Sequence, residues 1–465
     1  MKLPLPTPPE EVLSTLNADG SRRWLRPRLS PGRFLSARRI TAWALAVTFI
    51  ALPLLRVGGQ PAVLFDVLRW RVTLLGKLFL PSDTILLAIF LVGAIVALFL
   101  MTAILGRVWC GWACPQTVYM EFLFRPIERI FEGKPKRRGM LEHDVSGPRL
   151  FGKYVAYAVT SIFLANVFLS YFVGTASLHA WMTQSPGQHP AAFFVMALTA
   201  ALIFFDFAWF REQTCIVACP YGRLQSVLLD RASLVVSYDD QRGEPRGPLR
   251  KAGTPAARGD CVDCGMCVDT CPTGIDIRGG LRMECIACAQ CIDACDAVMD
   301  KIHRPRGLIA YSPQQRGDGG RVTWVRPRVL VYGTVLLVIC ASLALLVSRT
   351  QTTDVILLRG LGMPFTVLPN GEVVNPARIK ISNRENEART YALDVAQGGP
   401  ARILLDDEPL RVSAGGSLIR TFLIQVPATV FKSGQYEMQL RVRDGHAFSK
   451  DVSYRLLGPH GQGAP

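Results

Sequence analysis

The residues with the greatest chemical potential in this chain are its cysteines. Of 13, twelve fall into four tight clusters. The densest run is Cys261-Val-Asp-Cys264-Gly-Met-Cys267-Val-Asp-Thr-Cys271-Pro272, and a second copy follows as Cys285-Ile-Ala-Cys288-Ala-Gln-Cys291-Ile-Asp-Ala-Cys295. Three thiolates two residues apart can wrap one face of an iron–sulfur cubane in a tight loop. The fourth, three residues further on a helical turn, points away and reaches a second cluster. The spacing therefore predicts two 4Fe–4S clusters. Cys261, Cys264, Cys267 and Cys295 would hold one, and Cys271, Cys285, Cys288 and Cys291 the other. Pro272 and Gly274 bend the chain after the first run, and Asp296 stands where a proline often follows the second. Zinc sites use four ligands, usually as two separated pairs, so two identical four-cysteine runs suit zinc poorly.

A different spacing repeats elsewhere, in Cys110-Gly-Trp-Ala-Cys114-Pro115 and in Cys215-Ile-Val-Ala-Cys219-Pro220. Residues four apart share one face of an α-helix, so each pair is expected to present two sulfurs together. The two pairs would meet as four thiolates at the membrane surface. Soft sulfur suits Cu(I) or a third iron–sulfur cluster; a redox dithiol is the alternative. Cys340 stands alone in an apolar stretch and reads as packing. His179, Met182 and His189 read as exposed loop residues rather than a copper site. The chain shows no catalytic triad, P-loop, paired-carboxylate motif or dinucleotide fingerprint, so the expected chemistry is the transfer of single electrons.

These cysteines need elements to position them. A helix needs about 20 mostly apolar residues to cross the hydrocarbon core. Ile40–Leu55, Thr84–Leu105, Tyr154–Val173, Ala191–Phe210 and Val329–Val347 qualify. Pro61–Leu80 is apolar but carries Asp66, Arg69, Arg71 and Lys77, costly in mid-bilayer, and reads as an interfacial hairpin. Lys and Arg in short flanking loops set orientation. Arg22, Arg23, Arg26, Arg28, Arg33 and Arg38 precede the first span. Arg107, Arg125, Arg129, Lys134, Lys136, Arg137 and Arg138 follow the second, while Gly174–Pro190 has no Lys or Arg. The N-terminus and the insert Arg211–Arg328 are thus expected in the cytoplasm, and the tail beyond about Ser348 outside. Arg69, Arg71 and Lys77 fall on the wrong side for this reading and are outvoted. The net charge of +16 sits beside apolar runs without aromatic-rich basic motifs, which favours an anionic membrane face over nucleic acid.

The tail alternates with period two in Ala377–Ser382, Arg389–Val395, Ser417–Val426, Tyr436–Val442 and Val452–Leu457, punctuated by Gly398-Gly399, Gly415-Gly416 and Asp444-Gly445. Short strands at this spacing predict an immunoglobulin-like β-sandwich that docks or protects. The expected order is a cytoplasmic arm (1–39), four membrane helices (40–210), a segment carrying the second Cys-x-x-x-Cys-Pro motif (211–252), a two-cluster ferredoxin-like domain (253–312), a linker (313–328), a fifth membrane helix (329–347) and the sandwich (348–465). The ferredoxin-like insert has few aliphatic residues, so clusters would take the place of a core.

Together these stretches resemble the CcoG/FixG/RdxA family of cytochrome c oxidase accessory proteins. The resemblance is carried by Gly106-Arg-Val-Trp-Cys110-Gly-Trp-Ala-Cys114-Pro-Gln-Thr117, by Arg211-Glu-Gln-Thr-Cys215 through Cys219-Pro-Tyr-Gly-Arg-Leu-Gln-Ser226, and by Arg242-Gly-Glu-Pro-Arg-Gly247. Pro272-Thr-Gly-Ile-Asp-Ile277 and Ala294-Cys-Asp-Ala-Val-Met-Asp-Lys301 complete it. It implies a bacterial inner-membrane protein that helps assemble a cbb3-type oxidase by reducing Cu(II) to Cu(I). Its partners would be a cytoplasmic electron donor, copper, and oxidase subunits or assembly factors. It maps the family's functional cysteines onto Cys110, Cys114, Cys215 and Cys219 and onto the eight of the duplicated run. Two other readings stand beside it. One is a quinol-linked subunit like NapH or NosR, for which Asp206 is the obvious polar group near the bilayer. The other is a scaffold or copper chaperone whose clusters only stabilise the fold.

Overall fold

The computed structural model describes residues 14–15, 21–67, 71–80, 83–135, 145–229, 232–248, 259–280, 282–313, 326–349, 351–385, 387–396, 399–405, 409–431, 433–446 and 448–459. Arg69, Lys136, Arg137, Arg138, Gly398, much of the N-terminal arm and most of the linker 313–328 lie outside the described residues. The chain divides into two units, Met1–Pro53 with Leu87–Leu343, and Leu54–Leu86 with Ala344–Pro465.

Helix α1 (Arg33–Ala51) starts seven residues before the apolar run that predicted it. Its first turn is polar, and an outside carboxylate satisfies it. The Phe34 and Leu35 amides donate to Asp293 at 3.1 and 2.7 Å, filling two of the donors that a helix start leaves open. Arg38, 1% exposed, gives its Nε–H to the Gly111 carbonyl at 2.8 Å. A hydropathy reading discards these charged positions because it cannot see their partners.

The stretch read as an interfacial hairpin consists of short antiparallel strands. After the short pair β1 (Arg56–Val57) and β2 (Gln60–Pro61), strands β3 (Val63–Asp66), β4 (Arg71–Leu74) and β5 (Lys77–Phe79) form an antiparallel sheet. It belongs with the tail: Arg71 donates to the Gly415 carbonyl, and Arg384 pairs with Asp83 at 2.8 Å.

Helix α2 (Thr84–Leu105) is the second spanning helix. Short helices α3 (Val108–Trp112), α4 (Pro115–Tyr119) and α5 (Arg125–Glu132) follow, with a π-helical turn at Met120–Phe124. Helix α6 (Gly147–Val173) begins seven residues earlier than Tyr154, with Lys153 held by Glu132 at 2.6 Å. Helices α7 (Thr175–Met182) and α8 (Pro190–Phe205) come next, and α8 runs on as a π-helical turn to Phe210. With α13 below, five helices among the described residues are long and apolar enough to cross a membrane.

Helix α9 (Pro220–Leu228) and strand β6 (Leu234–Tyr238) lead into the ferredoxin-like module, followed by α10 (Asp240–Gly243), α11 (Met266–Asp269), α12 (Gln290–Lys301) and β7 (Ile309–Pro313). Strands β6 and β7 pair antiparallel, so the module reaches outside 253–312. It also has a core of its own. Val236, Ile275, Ile277, Ile292, Met299, Leu308 and Ile309 are buried together, and two of the seven come from β6 and β7. Six of the seven lie within 253–312 itself, so the insert holds the aliphatic core that was not expected of it, and Val236 of β6 adds to it. Helix α13 (Pro327–Arg349) buries no residue.

The tail is a sandwich of two sheets. Strands β8 (Thr353–Arg359), β9 (Thr366–Val367), β10 (Glu372–Asn383), β11 (Arg389–Val395), β12 (Arg402–Leu404), β13 (Leu410–Val412), β14 (Ser417–Pro427), β15 (Gln435–Arg443) and β16 (Ser449–Leu457) supply it. One sheet has the order β12-β14-β10-β8, with β9 beside β10, and the other β13-β11-β15-β16. The alternation is literal in β10, where Val373, Ala377, Ile379 and Ile381 are buried on one face as a half-buried strand requires. All five expected strands lie within observed ones. The others escape the pattern because they are short, or, for β8, because they run on from a membrane helix.

Candidate functional site: two cysteine cavities and a four-cysteine cluster

Each ferredoxin-like run closes around its own cavity. One is lined by Cys271, Cys285, Cys288 and Cys291 and walled by Val236, Ile275, Ile277 and Ile286. The other is lined by Cys261, Cys264 and Cys295 with Tyr238, Met266, Arg278 and Met299, and Cys267 borders both. The two runs reach this shape by the same backbone device. Asp263 and Gly265 in the first, and Ala287 and Ala289 in the second, have φ of 51, 72, 51 and 61°. Left-handed backbone is uncommon for alanine and aspartate. Its recurrence at matching positions shows that the wrap of the loop dictates it.

The donor set fits iron–sulfur clusters. Sulfur is the chief donor in both cavities, and the walls are mostly apolar. Among the described residues no three Cys, His, Asp or Glu side chains converge closely enough to hold a single metal ion, those of Cys110, Cys114, Cys215 and Cys219 included. Burial pushes the Cys285 thiol up to about 12, partly offset by the Ala287 amide on its sulfur. Ligation must therefore supply the free energy of deprotonation.

The Cys-x-x-x-Cys-Pro pairs do not lie on one helical face as expected. Cys110 sits in α3, but Cys114 is the extended N-cap residue of α4, with φ −61° and ψ 126°. Cys215 lies in a π-helical turn over Thr214–Ala218, and Cys219 is the extended N-cap of α9, with φ −74° and ψ 111°. The proline explains this. It disfavours helical backbone in the residue before it and suits the first helical position after it. Each pair is therefore a break between two helices with a sulfur on either side. The two breaks meet. Burial, helped by the sulfurs of Cys114 and Cys219, raises the Cys110 and Cys215 thiols to about 12.

Polar groups surround this four-cysteine cluster. The Cys110 thiol donates to Gln225 Oε1 at 3.4 Å. Thr214 donates to the Asp206 carboxylate, and Gln116 to the Arg211 carbonyl. Asp206 thus turns its carboxylate to the Cys215 segment. Below lies a buried charge network. Arg211 grips Glu128 through both guanidinium ends at 2.9 and 3.1 Å, Arg125 lies 3.6 Å from Glu212, and Arg26 bonds Glu132 at 3.0 Å. Burial opposes charge on Glu128, but Arg211 outweighs it and holds the carboxyl below its usual range.

The four-cysteine cluster is built directly onto a ferredoxin loop. A β-carbon on Gly111 would meet the Ile286 carbonyl oxygen at 2.5 Å and the Cys288 nitrogen at 2.9 Å, both backbone. Only glycine admits this approach. Arg107 donates to the Met283 carbonyl, to the Cys285 carbonyl at 3.4 Å and to the Gly222 carbonyl at 2.8 Å. It ties both cysteine breaks to the loop. Trp112 Nε1 donates to the Tyr311 hydroxyl at 3.2 Å, and Tyr311 donates to the Ala287 carbonyl at 2.5 Å.

Cys340 is exposed on α13 rather than packed against protein. His179 and Met182 belong to α7 and not to a loop, and His189 caps α8 and meets Gln184 at 2.5 Å. Sequence reading missed Gln225, Gly111, Arg38 and Arg107 as parts of the site. Three of them lie within motifs that it singled out, yet nothing in their type signals a role.

Fold and site define a class: an iron–sulfur electron-transfer protein with several membrane helices. The comparisons agree. Residues 210–314 match a model described as a 4Fe-4S dicluster domain, 86–138 a 4Fe-4S binding domain, and 343–459 an IG-like fold at the C-terminal of FixG. The chain is 34% identical to Protein RdxA of Cereibacter sphaeroides over 85% of this chain and 88% of that protein. It is 33% identical to Protein RdxB of the same organism over 87% and 88%, and 30% identical to Nitrogen fixation protein FixG of Rhizobium meliloti over 95% and 94%. The crystal structure of a FixG-related protein from Vibrio parahaemolyticus covers 23% of this chain and 98% of its own, at 18% identity and TM-score 0.21. The chain belongs to the FixG/RdxA family.

Proposed function

We propose that this protein reduces Cu(II) to Cu(I) at the four-cysteine cluster, in service of assembling a cbb3-type oxidase. The carrying observation is the seating of Gly111, next to Cys110, on the backbone of Cys288. Iron–sulfur clusters, when bound, supply one electron at a time at low potential. Cys271, Cys285, Cys288 and Cys291 would hold one, and Cys261, Cys264, Cys267 and Cys295 the other. Cys110, Cys114, Cys215 and Cys219 receive the copper substrate, and their soft sulfurs favour the cuprous product. The step is Cu(II) plus one electron, with no proton to position, so the absence of an acid–base pair costs nothing. Arg107, Arg38 and Gly111 hold the receiving cysteines against the ferredoxin loop, which shortens the path for an electron.

The membrane orientation in this reading keeps the N-terminus, ferredoxin module and four-cysteine cluster in the cytoplasm and the sandwich in the periplasm. All 13 cysteines lie between Cys110 and Cys340, so the outer sandwich has none to oxidise. The basic residues that argued against this orientation include Arg71, whose guanidinium bonds the sandwich itself. A second reading draws on the 4Fe-4S match over residues 86–138, which includes Cys110 and Cys114. In it the four cysteines hold a resident third cluster. For a quinol-linked role, the Asp206 carboxylate is held at one oxygen by Thr214.

The test supplies Cu(II) and dithionite-reduced protein anaerobically and follows Cu(I) with a chelating dye. A variant with Cys110, Cys114, Cys215 and Cys219 all changed to Ser should keep the ferredoxin paramagnetic signals and lose the reduction. Equal rates in the two proteins would overturn the assignment, and iron and acid-labile sulfide analysis of both separates copper from a third cluster.

A further inference from the structure

The side chain that accepts from the Cys110 thiol is not one that the Cys-x-x-x-Cys-Pro spacing advertises. Gln225 is 0% exposed and sits in α9, 115 residues away in sequence. It begins a chain of hydrogen bonds. Gln225 Nε2 donates to the Tyr221 hydroxyl at 2.7 Å, Tyr221 meets Thr102 Oγ1 at 2.7 Å, and Thr102 donates to the Leu98 carbonyl at 2.8 Å. The anchor fixes the polarity. Thr102 gives its only proton to Leu98, so Tyr221 must donate to Thr102 and can accept from Gln225. The Gln225 carbonyl oxygen is left facing Cys110, where it accepts the S–H.

That order suits a free thiol. A metal-bound sulfur has no proton and only accepts, so it would face the lone pairs of Gln225 Oε1. A side-chain amide carries an acceptor on one side and two donors on the other. Turned over, it gives N–H to the sulfur and offers its oxygen to Tyr221, whose hydroxyl is then free to donate to it. Thr102 then turns its hydroxyl proton from the Leu98 carbonyl to the Tyr221 oxygen, and the Leu98 carbonyl keeps its backbone bond within α2. No buried polar group is orphaned in either arrangement, which is what makes the turn inexpensive.

We propose that Gln225, steered by Tyr221 and Thr102, is a positioning residue that donates a hydrogen bond to the Cys110 sulfur when the four-cysteine cluster holds metal. The inference rests on the proposed use of those four cysteines as a soft-metal site. Outer-shell partners of this kind are worth roughly 10–100-fold in metal affinity.

The test uses full-length protein in detergent, kept anaerobic, with Cu(I) as the probe and bicinchoninate as competitor. Gln225→Leu and the near-isosteric Gln225→Glu should each weaken Cu(I) binding roughly 10–100-fold, and Tyr221→Phe less. In metal-free protein Gln225→Leu should speed maleimide alkylation of Cys110, read by mass spectrometry, because the thiol loses its partner. Unchanged ferredoxin paramagnetic signals show that each variant is folded, and the glutamate variant stands in should the leucine variant fail to fold. Wild-type affinity in both Gln225 variants would overturn the inference while leaving the metal-site reading intact. Wild-type protein that binds no more Cu(I) than the variant with all four cysteines changed to Ser would remove both.

Discussion

The chemistry of this protein is decided by where single atoms are missing or pointed. Gly111 lacks the β-carbon that would strike the Ile286 and Cys288 backbone. Gly111→Ala has no flexible side chain to push aside and must instead lift the loop that carries Cys285, Cys288 and Cys291. The expected outcome is one ferredoxin cluster lost or altered by electron paramagnetic resonance, the Cys261-containing one kept, and cupric reduction slowed at least tenfold. Two clusters and a wild-type rate would show that the loop seats elsewhere. The cysteines were legible in the sequence because they repeat with fixed spacing. Gly111 and Gln225 were not, because each matters through a segment more than 100 residues away.

At the scale of elements, the spanning helices are joined by charge where they leave the apolar layer. Arg211, just beyond the fourth span, meets Glu128 of α5 in a buried two-pronged pair. Removing one partner of such a pair leaves an uncompensated charge and costs about 3–5 kcal/mol, so Glu128→Gln should lower the melting temperature in detergent measurably. Replacing an exposed acid such as Glu387 should not. The pH dependence has a definite sign. The Glu128 carboxyl is depressed in the folded protein, so its contribution is complete above the ordinary glutamate value of about 4.3 and fades as pH falls through the lower folded value. The wild type should lose stability below that pH more steeply than Glu128→Gln, which has no such carboxyl to protonate; parallel acid profiles would refute the linkage. Element types were readable from apolar length and period-two alternation. Element starts were not, since Arg33 and Gly147 open helices whose early turns mix charge with apolar residues and meet Asp293 and, through Lys153, Glu132. The Cys-x-x-x-Cys-Pro pairs show the opposite failure, a helical spacing placed across a helix break that the following proline had already marked.

For the whole molecule, the proposed orientation makes a labelling prediction. A single cysteine placed at the exposed Leu361 or Met363 of a cysteine-free sandwich should react with a membrane-impermeant maleimide in intact cells. One placed at the exposed Met283 should react only after lysis. The reverse pattern would invert the protein and move its metal chemistry to the other compartment. The sandwich itself was foreseen from turns and alternation. Its alliance with the sheet of β3, β4 and β5 was not, because one of the charges that suggested an interface, Arg71, bonds a tail residue 344 positions away.

That alliance has a consequence for how the chain is made. Arg71 and Gly415 are 344 residues apart, and at about 5–20 residues per second the ribosome needs roughly 17–70 s to go from one to the other. Throughout that interval the early sheet waits without its partner, while four further spanning helices and both iron-binding loops emerge. The unit that holds the sandwich is therefore finished last although it was begun nearly first. A nascent chain arrested before residue 415 would present an orphaned sheet for proteases to find.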